Sequence, residues 1–531
     1  MKKGLMAFAL TLFVVGCAPN SAEQIQEGTV EEVKNELVLA LGSEPDTGFD
    51  PTTGWGRYGS PLFQSTLFKR DNNLEVDYDL ATDYELSSDG LVWTVVIRDD
   101  AVFSDGEPLT ASDVKFTYET AKESGSILDL TMIDEIRVED DLTIQFHLVE
   151  PQSTFIHTLI SIGIVPEHAY DDDYAQSPIG SGPFVFKQWD QGQQLIVEAN
   201  PYYYGPSSEI EQITFVFLSE DSAFAAVQAG EVDVASVPAV FGLQEVAGMR
   251  VESMQSVDNR GIMFPFVARG ETTEDGYPIG NDVTSDLAIR QAINMAVDRQ
   301  ALVDGVLEGF GTPGYSVVDG LPWWNPDTMI EDGDLEGAIQ LLEENDWFDE
   351  NEDGVREKEG LRAEFRLLYP SNDVTRQSLA LAVADMLKPI GIQIDVEGKS
   401  WDEIIQLMHS EAVMFGWGSH DPLEMVHVYS VQYAGVDWFN PGYYANETVE
   451  HYFNQALTAL TEEEAIDYWQ QAQWDGKTGF STLGDAPWAW LVNLEHVYFV
   501  HERLDIGEQP IQPHGHGWPI TNNIAEWTWN E

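Results

Sequence analysis

The run Val102-Phe103-Ser104-Asp105-Gly106-Glu107-Pro108-Leu109-Thr110-Ala111-Ser112-Asp113-Val114-Lys115-Phe116 joins a tight turn directly to a helix start. Ser104-Asp105-Gly106 is a turn triplet in which Gly supplies the positive φ. Asp113 to Lys122 reads as a short helix, with Ser112 placed to cap its first turn. Strands flank the pair. Trp93-Thr94-Val95-Val96-Ile97 and Leu142-Thr143-Ile144-Gln145-Phe146 are β-branched and aromatic, and Asp and Gly turn signals bound them.

Outward from there the α/β pattern continues. Leu37-Val38-Leu39-Ala40-Leu41, closed by Gly42, is a buried-strand pattern that opens the folded part. Ser285 or Asp286 can cap a long helix running through Ile289, Ile293, Val297 and Leu302 to Gly309. Glu364 to Leu368, Thr375 to Leu387 and Ile392 to Val396 form a strand–helix–strand unit, which implies parallel pairing. Gly391 sits where that helix must stop. No repeat of solenoid or propeller length is visible. A chain of 531 residues, 43% hydrophobic with 16 Trp, can pack more than one lobe.

The first residues read as an export signal. Lys2 and Lys3 precede the apolar stretch Leu5 to Val15, and Val14-Val15-Gly16-Cys17 looks like a bacterial lipobox. Cys17 would then carry the lipid that anchors the chain to the membrane from the extracytoplasmic side. It is the only cysteine, so no intrachain disulfide can form. Residues 1–17 are thus expected to be signal, and 18–36, polar and acidic, a flexible tether. Asp and Glu total 92 against 25 Lys and Arg, a net charge of −67. Such a surface repels nucleic acid. The acids are spread along the chain, which reads as solvation rather than as a funnel for a cationic ligand.

The Val102–Phe116 run resembles the oligopeptide, dipeptide and nickel-binding solute receptors of ABC transporters (bacterial extracellular solute-binding protein family 5). Further segments resemble the same family in the same order: Gly180-Ser181-Gly182-Pro183-Phe184, Glu198 to Gly205, Gln228 to Asp233 and Arg290 to Arg299. The resemblance implies an α/β, two-lobed periplasmic-binding-protein fold of class II with two crossover hinge strands and a ligand cleft. It places the crossings near 260–266 and 488–494. Lobe I would then comprise 37–266 and 488–531, and lobe II 267–487. It also implies a monomeric receptor, with no cofactor, that hands a small-molecule ligand, a peptide or a metal chelate, to an ABC permease complex.

Phe415-Gly416-Trp417-Gly418-Ser419-His420-Asp421-Pro422 is the stretch most informative about ligand. In peptide-binding relatives, an aspartate shortly after the matching tryptophan pairs with the peptide's α-ammonium group. Here His420 falls near that position, and Asp421 either takes the role or starts the turn with Pro422. Trp55, Tyr58, Trp417 and Trp438 are candidates for the aromatic wall of a cleft.

Eight of the 11 His follow residue 400, among them His409, His420 and His427. His514 and His516, in Pro513-His514-Gly515-His516-Gly517-Trp518, are candidate metal ligands or rigid-loop histidines bonded to backbone. Asp349 to Gly354 fits half an EF-hand loop, but its twelfth position is Gly360, so an acidic hairpin turn is expected. The sequence contains no G-x-S-x-G elbow, H-E-x-x-H helix or P-loop, which favours a receptor over an enzyme. Gly54 to Gly59 spells G-x-G-x-x-G without the strand–turn–helix context.

Overall fold

The computed structural model describes residues 35–530 except Ser43, Asp46, 59–61, Ile127 and 516–517. The signal segment, Cys17, nearly all of the tether and His516 lie outside the described residues. Asn35 onward forms one compact unit. The last residue of the expected tether, Glu36, already opens a strand.

Two large sheets and one small one organise the chain. The seven-stranded sheet runs, edge to edge, Met249–Met254, His496–His501, Val234–Val237, Glu36–Ala40, Gln212–Val216, Gln194–Ala199, Phe184–Asp190. Glu36–Ala40 pairs parallel with both neighbours, and the other pairs are antiparallel. A separate antiparallel sheet holds Ala81–Leu86, Val92–Ile97, Thr143–Leu148 and Ile133–Asp140. Helix Ala111–Glu123 packs on it through Val114, Tyr118 and Ala121. The cap of that helix is Thr110 rather than Ser112. Asp113 accepts from the Thr110 backbone N–H at 2.9 Å and completes a capping box.

The second lobe is built on a six-stranded sheet: Gly311–Pro313, Trp488–Leu494, Asn259–Met263, Ala412–Phe415, Glu364–Pro370, Gln393–Lys399. Its central strands are buried on both faces, which explains the apolar runs Ala412–Phe415 and Trp488–Val492, while Asn259 and Arg260 of the strand between them are buried polar residues. Met414, Ala489 and Leu491 face one core with Ile293, Trp347 and Leu379. Val413, Phe415, Trp488 and Trp490 face the other with Tyr429, Phe453 and Trp469. Glu364–Pro370 and Gln393–Lys399 pair in parallel around helix Val374–Leu387, as the strand–helix–strand pattern predicts. Gly391 takes φ +80° and ends the helical segment.

The expected long helix after Asp286 is two helices, Leu287–Ala296 and Arg299–Val306. Val297 leaves helical geometry, and the Asp298 carboxylate restarts the helix by accepting from Ala301 N–H at 2.9 Å. The segments 260–266 and 488–494 largely supply neighbouring antiparallel strands of the six-stranded sheet. The chain passes between the large sheets over 255–258 and returns at Glu495. In the acidic turn, Asp349 and Asn351 accept from Asp353 N–H and Asp349 also from Gly354 N–H, while Arg362 pairs with Asp353.

Candidate functional site

Between the lobes lies a cavity of about 1700 Å³, lined from one side by Arg57, Tyr58 and Arg70 and from the other by Arg260, Arg376 and Trp417. The loop after strand Ala412–Phe415 forms its floor. Glu424, 6% exposed on helix Leu423–Tyr429, holds that loop, accepting from Gly418 N–H at 3.2 Å and Ser419 N–H at 3.1 Å. Asn259 of the neighbouring strand adds a third tie, its Oδ1 accepting from Trp417 N–H at 2.9 Å. The aromatic wall packs edge-on and face-on. Trp417 stacks on Phe439 at 5.5 Å, and Trp438 meets Trp401 at 5.2 Å and Phe415 at 6.1 Å.

Of the residues singled out in the sequence, Tyr58, Trp417, His420, Asp421, Trp438 and His514 all line this cavity. Trp55 does not. It is buried against Phe49 at 5.0 Å and Trp518 at 5.4 Å, in the core under the seven-stranded sheet, because the Asp50-capped turn folds it inward. His409 is likewise buried, its Nδ1 3.0 Å from the Pro441 carbonyl, whereas His427 lines the cavity and stacks on Phe439. Asp421 both faces the cavity and starts the turn, since its Oδ1 accepts from Leu423 N–H at 2.9 Å. His514 N–H donates to the Gly418 carbonyl at 2.7 Å, and its Nε2 lies 3.6 Å from Asp258.

A model of the bacterial extracellular solute-binding proteins, family 5, matches residues 75–440. The chain belongs to that family. Protein XP55 of Streptomyces lividans is 30% identical to this solute-binding protein over 95% of this chain and 92% of that one. NikZ from Campylobacter jejuni, solved in complex with Ni(L-His), shares its fold with a TM-score of 0.77, at 24% identity over 93% of this chain and 99% of the other. AppA of Bacillus subtilis, solved with a nonapeptide, gives 0.71 at 23% identity, covering 94% and 100%.

The solute-binding protein brings cations into its cleft out of proportion to their number. Arg57, Lys69, Arg70, Arg260 and Arg376 line the cavity beside eight acids, among the described residues, against 25 and 92 in the whole chain. That favours solvation over a cation funnel as the role of the outer charge. Burial pushes the Glu424 carboxyl up to about 8 against the pull of its two backbone N–H partners, with Asp421 and Asp258 adding to the rise. Burial also raises Asp421 to about 6, opposed by the Leu423 N–H and by Arg70. His420 falls to about 3 through burial and the nearby Arg70, and His427 to about 4 through burial, so both imidazoles are neutral at physiological pH.

Sequence reasoning missed Arg70, Arg260, Arg376, Trp401 and Glu424. The flanks of Arg70 (Lys69, Asp71), Arg260 (Asn259, Gly261) and Arg376 (Thr375, Gln377) carry no local signal for a cleft position. Asp421-Pro422-Leu423-Glu424 does carry the acid-three-residues-on spacing of a helix start.

Proposed function

We propose that this chain is the peptide receptor of an ABC importer, held at the extracytoplasmic membrane face by lipid on Cys17 and acting as a monomer. The volume of the interlobe cavity carries the reading. Pockets for drug-sized ligands run to roughly 300–1,000 Å³, and about 1700 Å³ accommodates a longer chain molecule. An aromatic wall of Trp401, Trp417, Trp438 and Phe439 suits side chains of varied shape, while Arg260, Arg376 and Asp421 offer polar ends.

Contacts to both lobes favour the closed state, and the closed state is the form a permease would read. The oligopeptide-binding AppA, 28% identical over 67% of this chain, supports the same ligand class. Tyr58, Trp417, His420, Asp421 and Trp438 are the proposed ligand contacts, with His514 at the rim. Binding without bond-making is the whole of the proposed activity.

A metal chelate is the second reading, favoured by one observation: His420 Nε2 is buried, uncharged and without a hydrogen-bond partner in the cleft wall. No group of three metal-ligating side chains forms among the described residues. Metal would therefore arrive with ligands of its own. Native mass spectrometry of the protein purified without a His tag or chelator decides between them. Adducts spread over peptide masses support the proposal. One discrete adduct with a nickel, copper or zinc isotope pattern overturns it in favour of the chelate.

A further inference from the structure

The hairpin of strands Phe68–Arg70 and Val76–Tyr78 belongs to the body of the four-stranded sheet, where Phe68 is buried and Val76 packs. Its tip points elsewhere. Leu74, only 7% exposed, joins the apolar cluster of the second lobe that includes Trp323, Phe453, Ala456 and Trp469. Leucine rarely takes φ +66°, yet Leu74 holds it, with its N–H donated to the Asp71 carbonyl at 3.0 Å. The Asp71 carboxylate fixes the same turn by accepting from the Asn73 and Glu75 N–H groups at 2.8 and 2.9 Å. A preformed tip thus carries one apolar side chain across the cleft.

Three hydrogen bonds and one close approach bridge the lobes as well. Arg70 Nη2 donates to the His420 carbonyl at 2.5 Å. Beyond strand Thr143–Leu148, Ser153 donates twice to helix Glu447–Leu457, its N–H to the Leu457 carbonyl at 2.7 Å and its hydroxyl to the Ala456 carbonyl at 2.8 Å. Those carbonyls belong to the last turn, which a helix leaves without intrahelical partners. Gly90, in the turn between Ala81–Leu86 and Val92–Ile97, approaches Leu460 so closely that a Cβ there would lie 2.8 Å from Leu460 Cδ2. Each contact joins one protein group to another, and none runs through the crossings at 255–258 and 495.

We propose that Leu74, Arg70 and Ser153 form a latch that stabilises the closed receptor through protein contacts alone, before any ligand binds. Opening the hinge must withdraw Leu74 into water and break the three hydrogen bonds. A ligand therefore meets a receptor already biased toward closure, and its binding bears less of the cost of closing. The latch goes beyond the peptide reading, since it does not depend on what the cleft holds.

Hydrogen exchange tests it directly, because the Ser153 N–H is itself an interlobe bond and exchanges when the latch lets go. The full chain in detergent, dialysed until native mass spectrometry shows no bound ligand, is exchanged into deuterium and read at single amides. Wild type is expected to protect the Ser153 N–H by about tenfold or more over the free chain. Leu74→Ala is expected to speed that exchange by about tenfold or more, without touching Ser153. Ser153→Ala, which keeps the N–H and loses the hydroxyl bond, is expected to speed it by about threefold. Unchanged protection of the Val92–Ile97 amides shows that a variant is folded. Wild-type protection below about tenfold overturns the latch, as does a Ser153 rate unchanged in either folded variant.

Discussion

Replacing Asp258 by Ala removes the carboxylate at the point where the chain leaves the first lobe for the second. Asp258 is 4% exposed and forms an ion pair with Arg260, itself 7% exposed. His496 Nε2 lies 3.4 Å away, on the strand just past the return crossing, and His514 Nε2 lies 3.6 Å away. Burial alone would raise the Asp258 carboxyl, but Arg260, His514 and His496 together hold it well below the usual carboxylate range. Truncating one partner of a buried pair strands the other charge, at a cost of about 3–5 kcal/mol. Arg260→Met in the same chain removes the stranded charge and should restore most of that loss, since an apolar replacement of both partners is often near neutral.

Urea unfolding at pH 7 of wild type, the two single variants and the double variant closes the cycle. The pH dependence has a definite sign. A depressed folded-state pKa gives stability that is present above the unfolded value of about 3.9 and is lost as pH falls through the folded one. The gap between wild type and Asp258→Asn should therefore narrow below about pH 4. A cost under about 1 kcal/mol for Asp258→Ala, or a double variant no more stable than the single, would refute this reasoning.

Gly416→Ala should disturb the cavity floor, because the new Cβ would lie 2.2 Å from the Asn259 carbonyl oxygen. A loss of about 1–3 kcal/mol in unfolding, with weakened peptide binding by calorimetry, is the expected result. Glu424, with its folded value near 8, should make wild type lose stability as pH rises from the ordinary carboxylate range toward 8, by up to about 1.4 kcal/mol per pH unit. Urea midpoints at pH 5 and pH 8 should show that Glu424→Gln lacks this slope. Thermal melts should rise from low salt to about 1 M NaCl, where the Debye length falls to about 3 Å and the self-repulsion of −67 charges is screened.

Elements whose pattern was local were legible in the sequence. Val92–Ile97, Thr143–Leu148 and the Glu364–Lys399 unit stand where β-branched runs and a Gly stop signal put them. The helix broken at Val297 was not legible, because an apolar periodicity continues across the Asp298 cap. Trp55 shows the limit for sites: a tryptophan in a Gly-rich loop reads alike whether the loop opens toward ligand or folds onto Phe49. Trp417, His420 and Asp421 could be found because they share one loop. Arg70 and Arg376 could not, since the fold brings them to that loop from distant segments.

The central claim, capture of peptide between the lobes against the Trp417 wall, is tested most directly by calorimetric titration of an oligopeptide digest into wild type and Trp417→Ala. Saturable binding to wild type, weakened by about tenfold or more in the variant (about 1.4 kcal/mol), is the predicted result. Equal affinity in the two proteins, or no binding to either, would contradict it.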